Sequence, residues 1–133
     1  MAKLATHERD GSIHLVPMWF RWDGEAILIP TNQATQKVRN VERDPRASVM
    51  IDDSRYGFDL CGITVMGDVE LIRAPESLPL NRAIHLRYIT VAERDSPRID
   101  AYLSTDDVTI RVIPRRAYSW DLRHTSAGGA APA

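Results

Sequence analysis

The sequence predicts a mainly β fold: a small antiparallel barrel of about six strands with one or two short helices. Three observations carry that reading. Asp10-Gly11 and Asp23-Gly24 are tight-turn pairs between apolar runs, and both residue types accept positive φ. The run from Leu60 to Ile72 alternates with period two, setting Ile63, Val65, Gly67, Val69 and Leu71 against Thr64, Met66, Asp68, Glu70 and Ile72. Only two segments carry helical spacing. So few strands make a poor sandwich, whereas closure into a barrel removes exposed edges.

The elements follow in order. Lys3 to His7, Ser12 to Phe20 and Glu25 to Pro30 read as a three-stranded meander around the two turns. In the second strand Ile13, Leu15, Pro17 and Trp19 take one face and His14, Val16, Met18 and Phe20 the other, so both faces are expected to be covered. Pro17 removes a ladder donor, which predicts an edge position or a bulge. Gln33 to Arg43 reads as helix, with Ala34, Val38 and Val41 at helical spacing, Thr31 or Asn32 as cap, and Asp44 before Pro45 as its end. Ala47 to Ile51 is the next strand, followed by a polar loop through Gly57 and the long strand from Leu60. Pro79 to Tyr88 reads as a second helix with Leu80, Ile84 and Tyr88 on one stripe. Asp107 to Ile113 is the last clear strand, and Tyr118 to Asp121 closes the ordered chain. Residues 1–123 are expected to form one domain, and the small residues of 124–133 a disordered tail.

Composition excludes several classes. Of 133 residues 44% are hydrophobic, enough for one core, and the formal net charge of −1 gives no global field toward nucleic acid or an acidic membrane. Apolar runs fall far short of the roughly 20 residues a bilayer needs, so a cytoplasmic protein is expected. One cysteine, Cys61, rules out an internal disulfide and a multi-cysteine zinc site. His7, His14, His85 and His124 share no element with a carboxylate or cysteine at ligand spacing, so no metal site is expected.

The most informative stretch is Pro30 to Asn40. It places hydroxyl, amide and ammonium groups where a helix starts with unpartnered N–H donors. Two readings stand: routine capping of a solvated helix, or a phosphate grip built from Thr31, Asn32, Thr35, Gln36 and Lys37. No glycine-rich Walker loop is present, which argues against nucleoside-triphosphate chemistry. The basic run Lys37, Arg39, Arg43 and Arg46 is interrupted by Glu42 and Asp44 and lacks accompanying strand aromatics, so nucleic acid is not expected. Core packing accounts for His14, Met18 and Trp19 as residues alone, and a buried inert thiol for Cys61.

The order of these pieces resembles the flavin-binding split β-barrel superfamily, which contains the pyridoxamine 5′-phosphate oxidases and the flavin/deazaflavin oxidoreductases. The residues that carry the resemblance are Asp10 to Phe20, Thr31 to Lys37, Val38 to Ala47, Ile63 to Glu70, Ile110 to Pro114 and Ser119 to Asp121. It implies a Greek-key-like split barrel and a homodimer with two cofactors in grooves at the interface. In the oxidases a Tyr-Thr-Asn-x-x-Ser-Arg-Lys stretch holds the FMN phosphate, and Pro30 to Lys37 looks like it. Thr31, Thr35 and Lys37 keep the chemistry, while Gln36 stands where arginine would supply a bidentate contact. That departure, with Lys37-Val38-Arg39-Asn40, fits the branch whose members use the deazaflavin F420. The resemblance also implies that His14 to Trp19 lie beside the tricyclic ring, with Val16, Pro17 and Met18 presenting backbone groups to its edge. It further implies that Cys61 and Gly62 touch the cofactor from a neighbouring strand and that Trp120 reaches the second subunit's site. The pyridoxal-phosphate-binding residues of the oxidases are not recognisable, so vitamin B6 oxidation is not expected. The expected function is hydride transfer between F420, or alternatively FMN, and a small organic substrate, with the proton coming from solvent or from a nearby group such as His14. A non-catalytic carrier and a cofactor-free interaction module are the rivals.

Overall fold

The computed structural model describes residues 1–124. Its strands are β1 (Ala2–His7), β2 (Ile13–Met18), β3 (Arg21–Trp22), β4 (Ile27–Thr31), β5 (Arg46–Asp52), β6 (Cys61–Arg73) and β7 (Val108–Asp121). The helices are α1 (Gln36–Arg43), α2 (Ser77–Tyr88) and α3 (Pro97–Thr105), with a 3₁₀ turn at Val91–Glu93. The strands form one antiparallel sheet in the order β2-β1-β5-β6-β7-β4-β3. Apart from His124, the expected tail lies outside the described residues.

Both turns form where glycine permits them, Gly11 at φ 87° and Gly24 at φ 106°. The second is tied by Asp23, whose carboxylate accepts from the Glu25 and Ala26 amides at 2.8 and 2.7 Å. The meander expected around them does not exist. β2 pairs only with β1, and β4 pairs with β3 and β7 on the far side of the sheet. β2 and β3 are thus the two edges, yet only Trp19 and Phe20 separate them in sequence. Three Cα steps reach at most about 11 Å, so the sheet must curl until its edges nearly meet. No ladder joins them, and the barrel is split along that seam rather than closed. Pro17 lacks a donor there, and β3 is only two residues long. Tyr88 of α2 bridges the seam instead. Its hydroxyl accepts from the Phe20 amide at 3.2 Å and donates to the Phe20 carbonyl at 3.1 Å.

The core lies inside the curl: Leu4, Ile27, Ile29, Val49, Val65, Ile110 and Val112 from the strands, closed at one end by Val38 and Val41 of α1. Val16, Met18 and Phe20 pack on it, while Ile13 and Leu15 on the other face of β2 are 56% and 64% exposed. The two-sided cover expected for β2 is absent within one chain.

β7 runs eight residues beyond the expected end at Ile113. Pro114 looks like a stop, but a bulge absorbs it. Gly67 opposes Pro114 and Met66 opposes Arg116, leaving Arg115 as the extra residue. Gly67 is required there, since a Cβ would sit 2.1 Å from the Ile113 carbonyl oxygen.

The buried side of α2 is Ser77, Asn81, Ile84 and His85; of the expected stripe Ile84 is buried, while Leu80 and Tyr88 are only partly covered. Polar groups dock it onto the start of β7. Asn81 donates to the Asp106 and Val108 carbonyls at 2.9 and 3.0 Å and accepts from the Thr109 hydroxyl at 2.7 Å. α3 was not expected, although Ser96-Pro97 is a cap followed by proline at the first helical position, and Ser96 accepts from the Arg98 amide.

Candidate functional site

β4 delivers Thr31, buried, to a turn that precedes α1. Asn32 and Thr35 shape that turn. The Asn32 side chain accepts from the Ala34 amide at 2.8 Å, and the Thr35 amide and hydroxyl donate to the Asn32 carbonyl at 3.1 and 2.8 Å. α1 therefore starts at Gln36 rather than Gln33, with Thr35 as an extended N-cap whose side chain makes no cap bond. The amides of its first turn have no intrahelical acceptor. Lys37 projects from this turn, half-buried, and makes no hydrogen bond or ion pair among the described residues. Burial lowers its pKa from the usual lysine value, and the nearby charge of Asp106 opposes that shift. Thr31 and Thr35 hydroxyls lie 3.3 Å apart beside it.

Gln36 is placed differently from its neighbours. Its amide donates to Glu8 at 3.0 Å and to the buried Asn40 at 2.9 Å, and its carbonyl accepts from Arg39 at 2.8 and 3.1 Å. Asn40 in turn donates to Thr6 at 3.1 Å. Both donors of Gln36 are committed to this network, which ties α1 to β1. Glu8 also faces His14, whose Nδ1 lies 3.4 Å from the carboxylate.

Next to the α1 turn a cleft of about 300 Å³ opens between the β2–β3 link and the α2–α3 pair. Its walls are Met1, Pro17, Met18, Trp19, Pro30, Tyr102, His85 and Asp106. Trp19 stacks on Tyr88, with centroids 5.2 Å apart and planes 8° apart, and meets His85 edge-on at 5.4 Å. His85 is 2% exposed, with Nε2 3.0 Å from an Asp106 carboxylate oxygen. That contact is close but out of line for a hydrogen bond, and neither ring nitrogen has an aligned partner. Asp106 joins the two halves of the site, because its charge also reaches Lys37.

Cys61, Gly62 and Trp120 stand elsewhere. Gly62 pairs with Trp120, and a Cβ on Gly62 would come 2.5 Å from the Trp120 ring. At the other end of the same ladder Arg73 pairs with Val108, which pairs with Thr31. The intervening length of β6 spans about 35 Å at strand rise. None of the three lines the cleft. His85, Asp106, Tyr88 and Tyr102 were not picked from sequence as site residues; Tyr88 was placed only on a helix stripe and His85 only weighed as a metal ligand. The Ser96-Pro97 helix start and the spacing of Asn81, His85 and Tyr88 were the available signals.

The sequence profile described as pyridoxamine 5′-phosphate oxidase matches residues 1–121. The chain belongs to that family. Among solved structures, a conserved hypothetical protein from Mycobacterium tuberculosis is 32% identical, with a TM-score of 0.72 over 97% of this chain and 84% of the other. A protein described as an F420 reductase is 27% identical, with a TM-score of 0.68 over 88% of this chain and 87% of the other. A heme storage protein from Vibrio cholerae, 16% identical at a TM-score of 0.62 over 88% of this chain and 83% of the other, shares the fold. A search of the curated proteins finds no match.

For a member of the pyridoxamine 5′-phosphate oxidase family, the donor set fits a phosphorylated flavin-type cofactor. Lys37 offers an unpartnered, half-buried ammonium beside first-turn amides and two hydroxyls, a phosphate-binding chemistry. The adjoining cleft is walled by proline, methionine and aromatic side chains, which suits a planar ring. Among the described residues no cluster of three or more His, Cys, Asp or Glu could hold a metal ion.

Proposed function

We propose that the chain is a hydride-transfer oxidoreductase that binds coenzyme F420, with FMN as the alternative, and acts on a small conjugated organic substrate. The observation that carries this reading is Lys37: an ammonium kept half-buried and unpaired at a helix start, next to an aromatic cleft. A folded chain holds such a group at a cost, and an anionic ligand offsets it. Lys37, Thr31, Thr35 and the first-turn amides would hold the phosphate, and Pro17, Met18 and Trp19 the ring edge. Bound there, the cofactor supplies hydride; the chain binds, orients and excludes water. Gln36 in place of arginine, already committed to Glu8 and Asn40, supports F420 over FMN, as does the likeness to the F420 reductase.

A homodimer belongs to the same proposal. Cys61, Gly62 and Trp120 stand too far along β6 and β7 to join the cleft of their own chain, so a second copy would have to bring them. Exposed Ile13, Leu15, Trp22 and Ile63 give that copy apolar surface to cover. A cytoplasmic location is part of the proposal too; no described helix is long and apolar enough to cross a membrane. A non-catalytic carrier is the second reading, supported by the fold shared with a heme storage protein. Parallel fluorescence titrations with F420 and FMN test the proposal, followed by mixing of the reduced complex with enone acceptors. Saturable F420 binding with reoxidation supports an enzyme, binding without reoxidation the carrier, and no binding of either refutes both.

A further inference from the structure

Reduction of a polarised double bond needs a proton as well as a hydride. One π bond breaks, a C–H bond forms from the hydride of the reduced deazaflavin or flavin, and an O–H or N–H bond forms from an acid. The sequence offered His14 for the second part, but His14 lies against Glu8 on an edge strand and does not line the cleft. His85 and Asp106 do line it.

We propose that Asp106 and His85 form a proton-sharing pair in which Asp106 is the catalytic acid facing the ring and substrate, and His85 behind it is the positioning residue that reloads it. This rests on the cofactor reading above and adds residues from α2 and α3 that the reading did not use. The geometry supports the division of roles. The Asp106 side chain is 15% exposed and reaches the cleft, whereas His85 is almost wholly covered by Trp19 and Tyr102. The Asp106 carboxylate receives no hydrogen bond among the described residues, although its backbone is fixed twice. Its amide donates to the Tyr102 carbonyl at 3.1 Å, and its carbonyl accepts from Asn81 at 2.9 Å. By contrast the next residue, Asp107, accepts from the Gln33 amide at 2.9 Å and is a structural cap. A carboxylate held by its backbone, unsatisfied at its head and 3.0 Å from a buried imidazole is poised to pick up and release a proton. The groups that face the pair are Lys37 from α1, Tyr88 from α2, Tyr102 from α3 and Trp19 from the seam. When Asp106 gives its proton to the substrate, the charge left is met by Lys37; His85 then passes its Nε2 proton to the carboxylate and takes one from solvent at Nδ1, so one proton leaves and one enters per turnover.

The test is single-turnover reoxidation of the reduced complex by an enone acceptor across pH, in wild type, Asp106→Asn and His85→Gln, with cofactor affinity measured separately by fluorescence. Asp106→Asn is expected to bind cofactor about as well as wild type, since the amide keeps the size of the carboxyl group and Asp106 is not among the groups that hold the phosphate. It should lose about a hundredfold or more in reoxidation rate, the span general acids supply. His85→Gln should shift the pH midpoint of the rate rather than abolish it. A wild-type rate and pH profile in Asp106→Asn, or an unmoved pH midpoint of the rate in His85→Gln, overturns the pair while leaving the cofactor reading intact. Failure of the wild type to bind either cofactor removes that reading, and the pair with it.

Discussion

Lys37→Met keeps most of the aliphatic stem and deletes the ammonium, so it separates the phosphate contact from everything else in the site. A charge-assisted hydrogen bond contributes about 1.5–3 kcal/mol net, or about 10- to 150-fold in Kd. Lys37 is only half-buried, so solvent screening places the loss near the low end, about tenfold. The same change should hardly alter affinity for the phosphate-free deazaflavin or for riboflavin, less than about twofold by that argument. Stability should move the opposite way. Burial lowers the Lys37 pKa in the folded state, so below the ordinary value of 10.5 the unfolded state binds the proton more readily. The destabilising contribution is fully present at neutral pH and fades as pH rises through the folded-state pKa toward the unfolded one. Lys37→Met should therefore melt at a higher temperature than wild type at pH 7, with the gap closing at alkaline pH. Fluorescence titration and scanning calorimetry read the two halves. Equal weakening toward phosphorylated and phosphate-free ligands, or a lower melting temperature in the variant, would refute the reasoning.

Three further substitutions test the frame. Gly67→Ala forces a Cβ to 2.1 Å from the Ile113 carbonyl, a backbone atom that cannot step aside, and should cost roughly 3 kcal/mol in urea unfolding; a loss under about 1 kcal/mol would show a bulge that relaxes. Tyr88→Phe removes both hydrogen bonds across the seam at Phe20, and a loss of about 1–3 kcal/mol is expected by the same assay. The Asp23 carboxyl is held below its usual range mainly by the Glu25 and Ala26 amides, with Arg111 adding to it. Its contribution is present above pH 4 and lost as pH falls through the folded-state pKa, so Asp23→Asn should flatten the acid limb of the stability profile.

Much of the fold was legible because local chemistry and global position agree. Asp10-Gly11 and Asp23-Gly24 form their turns, Pro17 sits on an edge, and the period-two run of β6 faces the core at Val65, Gly67 and Val69. What failed was pairing. Nothing local to Trp19-Phe20 says that the chain steps from one sheet edge to the other, because that is a property of the curled sheet. Pro114 hid the second half of β7 because the glycine that makes room for the bulge at Arg115, Gly67, lies on the partner strand. The α1 turn was legible from Thr31 to Lys37 as a set of polar groups, but not the commitment of Gln36 to Glu8 and Asn40. His85 and Asp106, 21 positions apart in sequence, become neighbours only when Asn81 and Ser77 dock α2 onto the start of β7. Long-range docking by polar side chains leaves little periodic trace in a sequence.

The most direct test of the site is amide hydrogen exchange with and without saturating F420. Slowed exchange should concentrate in the first turn of α1, at Gln36, Lys37 and Val38, and at Met18 and Trp19 in the cleft wall. A second zone at Cys61, Gly62 and Trp120 should be protected only in a dimer. Protection that spares the α1 turn, or no change at all on adding the cofactor, would contradict the account.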